Sequence, residues 1–196
     1  MNIVGPPRVD AERFERHYEA SADPWNYRDS AYEREKYAAT LAALPPRSFD
    51  RALEVGCSIG VFSGLLAARC GRLVAIDFSA RAVALARERL AAEQNVEVVQ
   101  ASFPEQLPGG DWDLIVCSEV LYYLDEPALA RALEWLHAQL SSGSVVVAVS
   151  WRGTGPEEPL LGDDVHDLLE SRFAGWHALD ARHPGYRLDR FDGHGR

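Results

Sequence analysis

From residue 51 onward the chain alternates between short, nearly continuous apolar runs and longer stretches whose apolar residues recur every three or four positions. The runs at 51–55, 72–76, 96–99, 113–117 and 144–150 predict strands. Between them, 60–70 sets Val61, Phe62, Leu65 and Leu66 on one helical face. A second helix, 79–92, starts at a Ser79 cap and turns Val83, Ala86 and Leu90 inward, and a third, 126–140, carries a Leu129, Leu133, Leu136, Leu140 stripe. Two prolines and two glycines in 101–110 argue against a helix there. Strands that are apolar throughout, rather than alternating, need cover on both faces, as parallel strands have. The order therefore predicts a doubly wound, mostly parallel α/β sheet. Loop 151–162, a helix near 163–173 and two weaker strands at about 176–181 and 186–191 would bring the sheet to seven strands, closing on a hairpin. The tail after Phe191 is expected to fray.

Upstream, residues 10–44 read as helix in two pieces. Asp10 is a candidate N-cap, with Arg13 where a capping box wants Glu. The break falls at Asp23-Pro24, and the second piece, 30–44, stops at Pro45-Pro46.

Composition narrows the class. At 196 residues and 47% hydrophobic, the chain is one domain with enough core to stand without disulfides or metals. Its net charge of −10 makes it a poor binder of phosphate backbones or anionic membranes, so neither nucleic acid nor a membrane is an expected partner. Cys57, Cys70 and Cys117 form no CxxC pair and read as buried thiols in a reduced cytosol. The first residues carry no signal-peptide pattern and the apolar run 145–149 is too short to span a bilayer, so a cytoplasmic location is expected. The histidines share no ligand spacing, and no metal is expected; His166 reads as a surface residue in a first helical turn.

In a doubly wound sheet, ligands bind at the carboxyl ends of the strands, where strand order reverses. The first strand runs into Glu54-Val55-Gly56-Cys57-Ser58-Ile59-Gly60, and the second ends at Asp77, 21 residues past Gly56. Glycines let the turn approach a ligand, and an acid at that distance can accept from both hydroxyls of a ribose. The dinucleotide fingerprint G-x-G-x-x-G is absent, since Ser58 stands two after Gly56, and Glu54 would repel a pyrophosphate. S-adenosylmethionine, with a ribose, a sulfonium, an α-ammonium and no phosphate, fits these residues.

LEVGCSIG, then VAIDFS, then DLIVCSEVLYYL resemble motifs I, II and IV of the class I S-adenosylmethionine-dependent methyltransferases, over roughly residues 30–150. SEVLYYL with DPWNYRDSAYEREKY is similar, more narrowly, to the NodS-like N-methyltransferases, which methylate the free amine of a deacetylated chitooligosaccharide. The resemblance implies a Rossmann-like domain over 46–196 and an N-terminal helical lid over 1–45. It implies that Gly56, Cys57 and Gly60 line the methionine side of the cofactor, with Glu54 beneath the turn near the ammonium. Asp77 would take the ribose and Phe78 the adenine face. Ser102, with Phe103 beside it, stands where the family often has an acid for the adenine amine, and this is a departure. Ser118 and Glu119 would face the reaction centre, with Tyr122 and Tyr123 above it. Trp25, Tyr32 and Lys36 would close from the lid, Lys36 holding the cofactor carboxylate.

Each residue has a plainer reading. Gly56 and Gly60 could serve strand-to-helix packing, Asp77 could cap a helix, Glu54 could have a structural partner, and one of Tyr122 and Tyr123 could belong to the core. Trp25 could staple the lid, and Lys36, the chain's single lysine, could be a solvated charge. The expected chemistry is in-line transfer to a free amine, with Glu119 attracting the ammonium and accepting its proton, and S-adenosylhomocysteine as product. An O-methyltransferase of a small metabolite would share every cofactor residue. A nicotinamide dehydrogenase lacks its glycine motif here, and a non-catalytic module would not need the intact turn and Asp77. Ser118-Glu119-Val120-Leu121 is not the motif of base-amine methyltransferases.

Overall fold

The structure, a computed structural model, describes residues 11–155 and 160–194. The N-cap expected at Asp10 and part of loop 151–162 lie outside the described residues. Seven strands form one sheet: β1 (Phe49–Val55), β2 (Cys70–Asp77), β3 (Val96–Gln100), β4 (Leu114–Ser118), β5 (Val145–Trp151), β6 (His177–Arg182) and β7 (Tyr186–Asp192). Their order is β3-β2-β1-β4-β5-β7-β6. The first five strands are parallel, and β7 enters antiparallel between β5 and β6. This is a doubly wound, Rossmann-like α/β sheet closed by an antiparallel hairpin. Six helices accompany the sheet: α1 (Ala11–Ala20), α2 (Ala31–Ala43), α3 (Val61–Ala67), α4 (Ala80–Arg89), α5 (Glu126–Ser141) and α6 (Gly162–Arg172).

Successive strand residues point to opposite faces, so each apolar run feeds two cores. Leu53, Val55, Ile115, Cys117, Val146 and Ala148 pack with the leucine stripe of α5 and with Val165 and Leu169 of α6. Ala52, Leu114, Val116, Val145 and Val147 pack on the other side with Phe62 and Leu66 of α3 and Tyr37 and Ala43 of α2. The helices start where their caps say: Ser30 Oγ accepts from Glu33 N, Ser79 Oγ from Ala82 N, and Asp125 Oδ1 from Ala128 N. Helix α2 stops before Pro45, and Tyr37 stacks on Phe62 at 5.3 Å between centroids. The second N-terminal helix is therefore part of the core.

Three details differ from the sequence reading. Helix α3 ends at Ala67, and Cys70 opens β2, because Phe49 pairs with Cys70 and draws that segment into the sheet. The tail does not fray at once: Asp192 completes β7, and Gly193 donates its N–H to the Ser144 carbonyl at 2.9 Å. His166 is fully buried rather than on the surface, because its Nδ1 meets the Asp189 carboxylate on β7. Residues 101–110 contain no helix, as expected. No helix among the described residues is long and apolar enough to cross a membrane.

Candidate active site

Strand β1 lies between β2 and β4, so strand order reverses there and a crevice opens beyond the carboxyl ends of β1 and β4. The crevice holds a cavity of about 470 Å³, in the ordinary range for small-ligand sites. Gly56, at φ +83°, forms its floor: a Cβ there would lie 2.2 Å from Val120 Cγ2 and 2.7 Å from the Ser118 carbonyl oxygen. The turn continues through Ser58 at φ +48°, whose N–H donates to Asp77 Oδ2 at 2.9 Å. The Ser79 N–H donates to the other carboxylate oxygen at 2.9 Å. Burial nevertheless pushes the Asp77 carboxyl up to about 6, the two donors opposing it. Asp77 is thus fixed at the cavity wall, with acceptor capacity left for a ligand.

Phe78, Ser102, Phe103, Ser118, Glu119, Tyr123 and Trp25 also line this cavity, as the sequence reading places them. Among the described residues its charged lining is Asp77, Glu105, Glu119 and Asp125, with no lysine or arginine. Helix α1 covers one side. Phe14 packs edge-on against Phe78 at 5.4 Å and Tyr123 at 5.1 Å, and Tyr18 shares a 2.6 Å hydrogen bond with the Ser58 hydroxyl. Phe14, Tyr18 and Tyr27 are wall residues that the sequence reading passed over. The four-residue spacing of Phe14 and Tyr18 on one helix was the available signal.

A second, much smaller cavity adjoins the first and shares Tyr27, Gly56, Ser58, Ser118 and Glu119 with it. Its wall includes Glu33, Lys36, Glu54 and Cys57. Glu54 is buried, and burial pushes its carboxyl up to about 7 against the pull of the nearby Ser63 hydroxyl. Its Oε2 has no hydrogen-bond partner. An orphaned buried carboxylate oxygen under the glycine turn fits the α-ammonium of S-adenosylmethionine, and the Asp77 wall fits its ribose. Cys57 lies here, outside the larger cavity, with its thiol pushed up by burial.

Lys36 is not a solvated charge. It is only 2% exposed, and its Nζ lies 2.6 Å from Glu119 Oε1 and 2.9 Å from Glu33 Oε2. Burial disfavours the ammonium, but Glu119 and Glu33 outweigh that and hold its pKa above the ordinary lysine value. The other Glu119 oxygen accepts from the Tyr122 hydroxyl at 2.6 Å and the Trp151 N–H at 2.8 Å. Glu119 itself sits at φ +55°, a conformation uncommon for a non-glycine residue and costing on the order of 1 kcal/mol. Four partners hold it there, because its own N–H also donates to the Val149 carbonyl.

Three expected site residues stand elsewhere. Tyr122 is in the core, 4% exposed, and meets the site through Glu119 and the ring of Tyr123. Tyr32 turns away, donating its hydroxyl to the Gly185 carbonyl and packing on Tyr186. Gly60 lies outside both cavities: at φ +77° it caps α3, and a Cβ would meet Leu90 Cδ1 at 2.9 Å, which is the packing reading. Cys117 sits at the centre of the sheet, its thiol pushed up to about 12 by burial. No group of three His, Cys, Asp or Glu among the described residues could hold a metal ion.

Known proteins share this fold. A Nodulation protein S from Bradyrhizobium diazoefficiens is 38% identical over 81% of this chain and 69% of its own. A crystal structure from Pseudomonas syringae, described as a putative methyltransferase, is 40% identical over 83% of this chain and 99% of its own, with a TM-score of 0.72. The N-methyltransferase NodS from Bradyrhizobium japonicum WM9 is 26% identical over 84% of this chain and 98% of its own, with a TM-score of 0.73. Against three further curated NodS relatives the chain spans about half of their length, 48 to 55%. The family model described as Nodulation protein S (NodS) matches residues 9–154, most of the sequence, and the chain belongs to the NodS family.

Proposed function

We propose that the protein is a cytoplasmic S-adenosylmethionine-dependent N-methyltransferase. Its acceptor in this reading is a free amine on an amino sugar of the deacetylated chitooligosaccharide class. The observation that carries the proposal is the charge of the cleft: among its described residues Asp77, Glu105, Glu119 and Asp125 face it and no basic residue does, the cations that pair with Glu105 and Glu119 (Arg131 and Lys36) standing outside its wall. Such a wall attracts an ammonium and repels phosphate or carboxylate on an acceptor. The N-methylating activity of the solved NodS relative supports nitrogen as the atom methylated.

The bound cofactor supplies an activated methyl group on sulfur, carried in line to the acceptor nitrogen. The protein's part is to hold the two reactants, which is worth about 7–11 kcal/mol when orientation is good. Gly56 and Asp77 seat the cofactor, and the orphaned Glu54 oxygen meets its ammonium. Glu119, held by Lys36, Tyr122 and Trp151, is the fixed anion that draws in the amine. Oε2 is taken by Tyr122 and Trp151, but Oε1 accepts only from Lys36 and keeps room for the amine, whose proton it takes directly or through water. Helix α1, latched by Tyr18 to Ser58, is the part of the expected lid that closes over the cofactor and excludes solvent.

The test is mass spectrometry of the protein and S-adenosylmethionine mixed with a deacetylated chitooligosaccharide, or with its fully acetylated twin. A methyl gain on the free-amine sugar alone is expected. A gain on the acetylated twin, or on neither while S-adenosylhomocysteine binds, overturns the amine-sugar acceptor.

A further inference from the structure

The buried charges beside the cleft do not balance. Two carboxylates, Glu33 and Glu119, share the single ammonium of Lys36, and among the described residues neither pairs with a second cation. The triad is therefore one proton short of neutral, and a net charge held out of water is costly. The three groups also form one chain. Lys36 Nζ donates to Glu119 Oε1 at the cleft and, at 3.0 Å, to Glu33 Oε1 behind it. Glu33 does not line the larger cavity. Its Oε2 lies buried beside Nζ without a hydrogen bond of its own, whereas Glu119 Oε2 already accepts from Tyr122 and Trp151. A proton resting on Glu33 Oε2 displaces no donor. Burial raises the Glu33 carboxyl against the pull of Lys36. The other titratable groups around it are not cations: burial keeps Tyr27, Tyr32 and Tyr37 protonated, and Glu54 stands across the small cavity.

We propose that Glu33 receives the proton of the acceptor ammonium, passed to it from Glu119 through Lys36. An amine that arrives protonated has no lone pair to attack with. In the relay, an N–H bond of the ammonium breaks and an O–H bond forms on Glu119 Oε1. As Lys36 gives one Nζ proton to Glu33, it takes the proton from Glu119. Lys36 ends with the three protons it began with, Glu119 is again an anion, and Glu33 is a neutral acid. The freed lone pair then forms the N–C bond to the methyl group while the C–S bond breaks, its electrons staying on sulfur. When the products leave, the proton returns along the same chain to water in the cleft. Glu33 touches neither reactant; it is a positioning residue that sets where the proton rests. The relay rests on the amine-acceptor reading above and deepens it by one residue outside the cleft.

The experiment compares kcat/KM for a deacetylated chitooligosaccharide with that for the same sugar carrying an aminooxy group in place of the free amine. It runs from pH 6 to 9 in the wild-type protein, Glu33→Gln and Glu33→Asp. The aminooxy nitrogen is uncharged at neutral pH and needs no base. Glu33→Gln is expected to lower the amine-to-aminooxy ratio about 10- to 100-fold at pH 7. The loss should close towards pH 9, as neutral amine arrives from solution, and Glu33→Asp should restore part of the ratio. An equal loss on both acceptors, or a loss on the amine that is the same at every pH, marks a structural role and overturns the relay while the amine reading stands. The wild-type protein supplies a test that needs no folded variant. An amine rate falling about tenfold for each pH unit below the amine's own ionisation shows that only neutral amine is used, which also overturns the relay. Wild-type protein that never methylates the amine while binding S-adenosylhomocysteine overturns the amine-sugar reading, and the relay with it.

Discussion

Replacing Lys36 by methionine is the sharpest perturbation of this site. Met keeps the length and apolar stem of the side chain but deletes the ammonium that lies within 3 Å of both Glu33 and Glu119. Those carboxylates are only 8% and 13% exposed, so water cannot replace the lost partner. Removing one member of a buried ion pair costs about 3–5 kcal/mol, because the remaining charge is left unpaired. In a domain of this size that lowers Tm by about 6–20 °C. The deficit depends on pH in a definite direction. Burial already raises the Glu33 carboxyl against the pull of Lys36, and without Lys36 it rises further. Lowering the pH protonates it, relieves the repulsion and shrinks the deficit. Adding Glu119→Gln to Lys36→Met removes one of the two orphaned charges, so the double variant should be more stable than the single one. Thermal unfolding by calorimetry at pH 8 and pH 5 measures all of this. A Tm loss under about 2 °C, a loss equal at both pH values, or strict additivity in the double variant would refute the triad as a coupled unit.

The same logic gives other outcomes. Glu54→Gln should stabilise the ligand-free protein above pH 7 by about 3 kcal/mol, since a folded carboxyl at about 7 against an ordinary 4.5 binds protons more tightly than the unfolded chain does. That contribution favours folding below pH 4.5, is lost as pH rises towards 7, and vanishes in the variant; unfolding curves from pH 5 to 8 decide it. S-adenosylhomocysteine affinity should rise from pH 5.5 to 8 in the wild type, more steeply than in Glu54→Gln, as titration calorimetry would show. Gly56→Ala should abolish measurable S-adenosylhomocysteine binding and cost about 1–3 kcal/mol of stability, because the new methyl group meets Val120 and the Ser118 backbone. Asp77→Asn should weaken S-adenosylhomocysteine roughly 10- to 100-fold, the worth of hydrogen bonds to a charged acceptor; unchanged affinity would remove Asp77 from the site.

What the sequence disclosed follows from which forces act locally. The five parallel strands were legible because each is apolar on both faces, and their caps because Ser30, Ser79 and Asp125 bond within three residues of themselves. Gly56 and Asp77 were legible because tight turn and acid lie one strand-helix-strand unit apart. Lys36 was not, since its partner Glu119 is 83 residues away. His166 was misplaced for the same reason: an Asp-Asp just before it reads as a solvated first turn until β7 brings Asp189 against it. Tyr32 and Gly60 sat inside the right motifs, yet motif membership does not fix direction. One faces the β6–β7 turn and the other the α4 side chains.

The burial of Cys117 also turns the sheet into its own clock. Thiol reagents attack only the thiolate. With its thiol near 12, roughly one molecule in 10⁵ carries that thiolate at neutral pH, against a few per cent in an unfolded chain. Cys70, partly exposed at the α3–β2 joint and raised to about 11, is shielded less. A labelling time course should therefore separate into events, Cys70 reporting local opening at the joint and Cys117 the parting of the central strands. Because α2 packs into the core on the face of the sheet that Cys70 adjoins, opposite Cys117, cofactor that fastens the N-terminal helices should slow the first event more than the second.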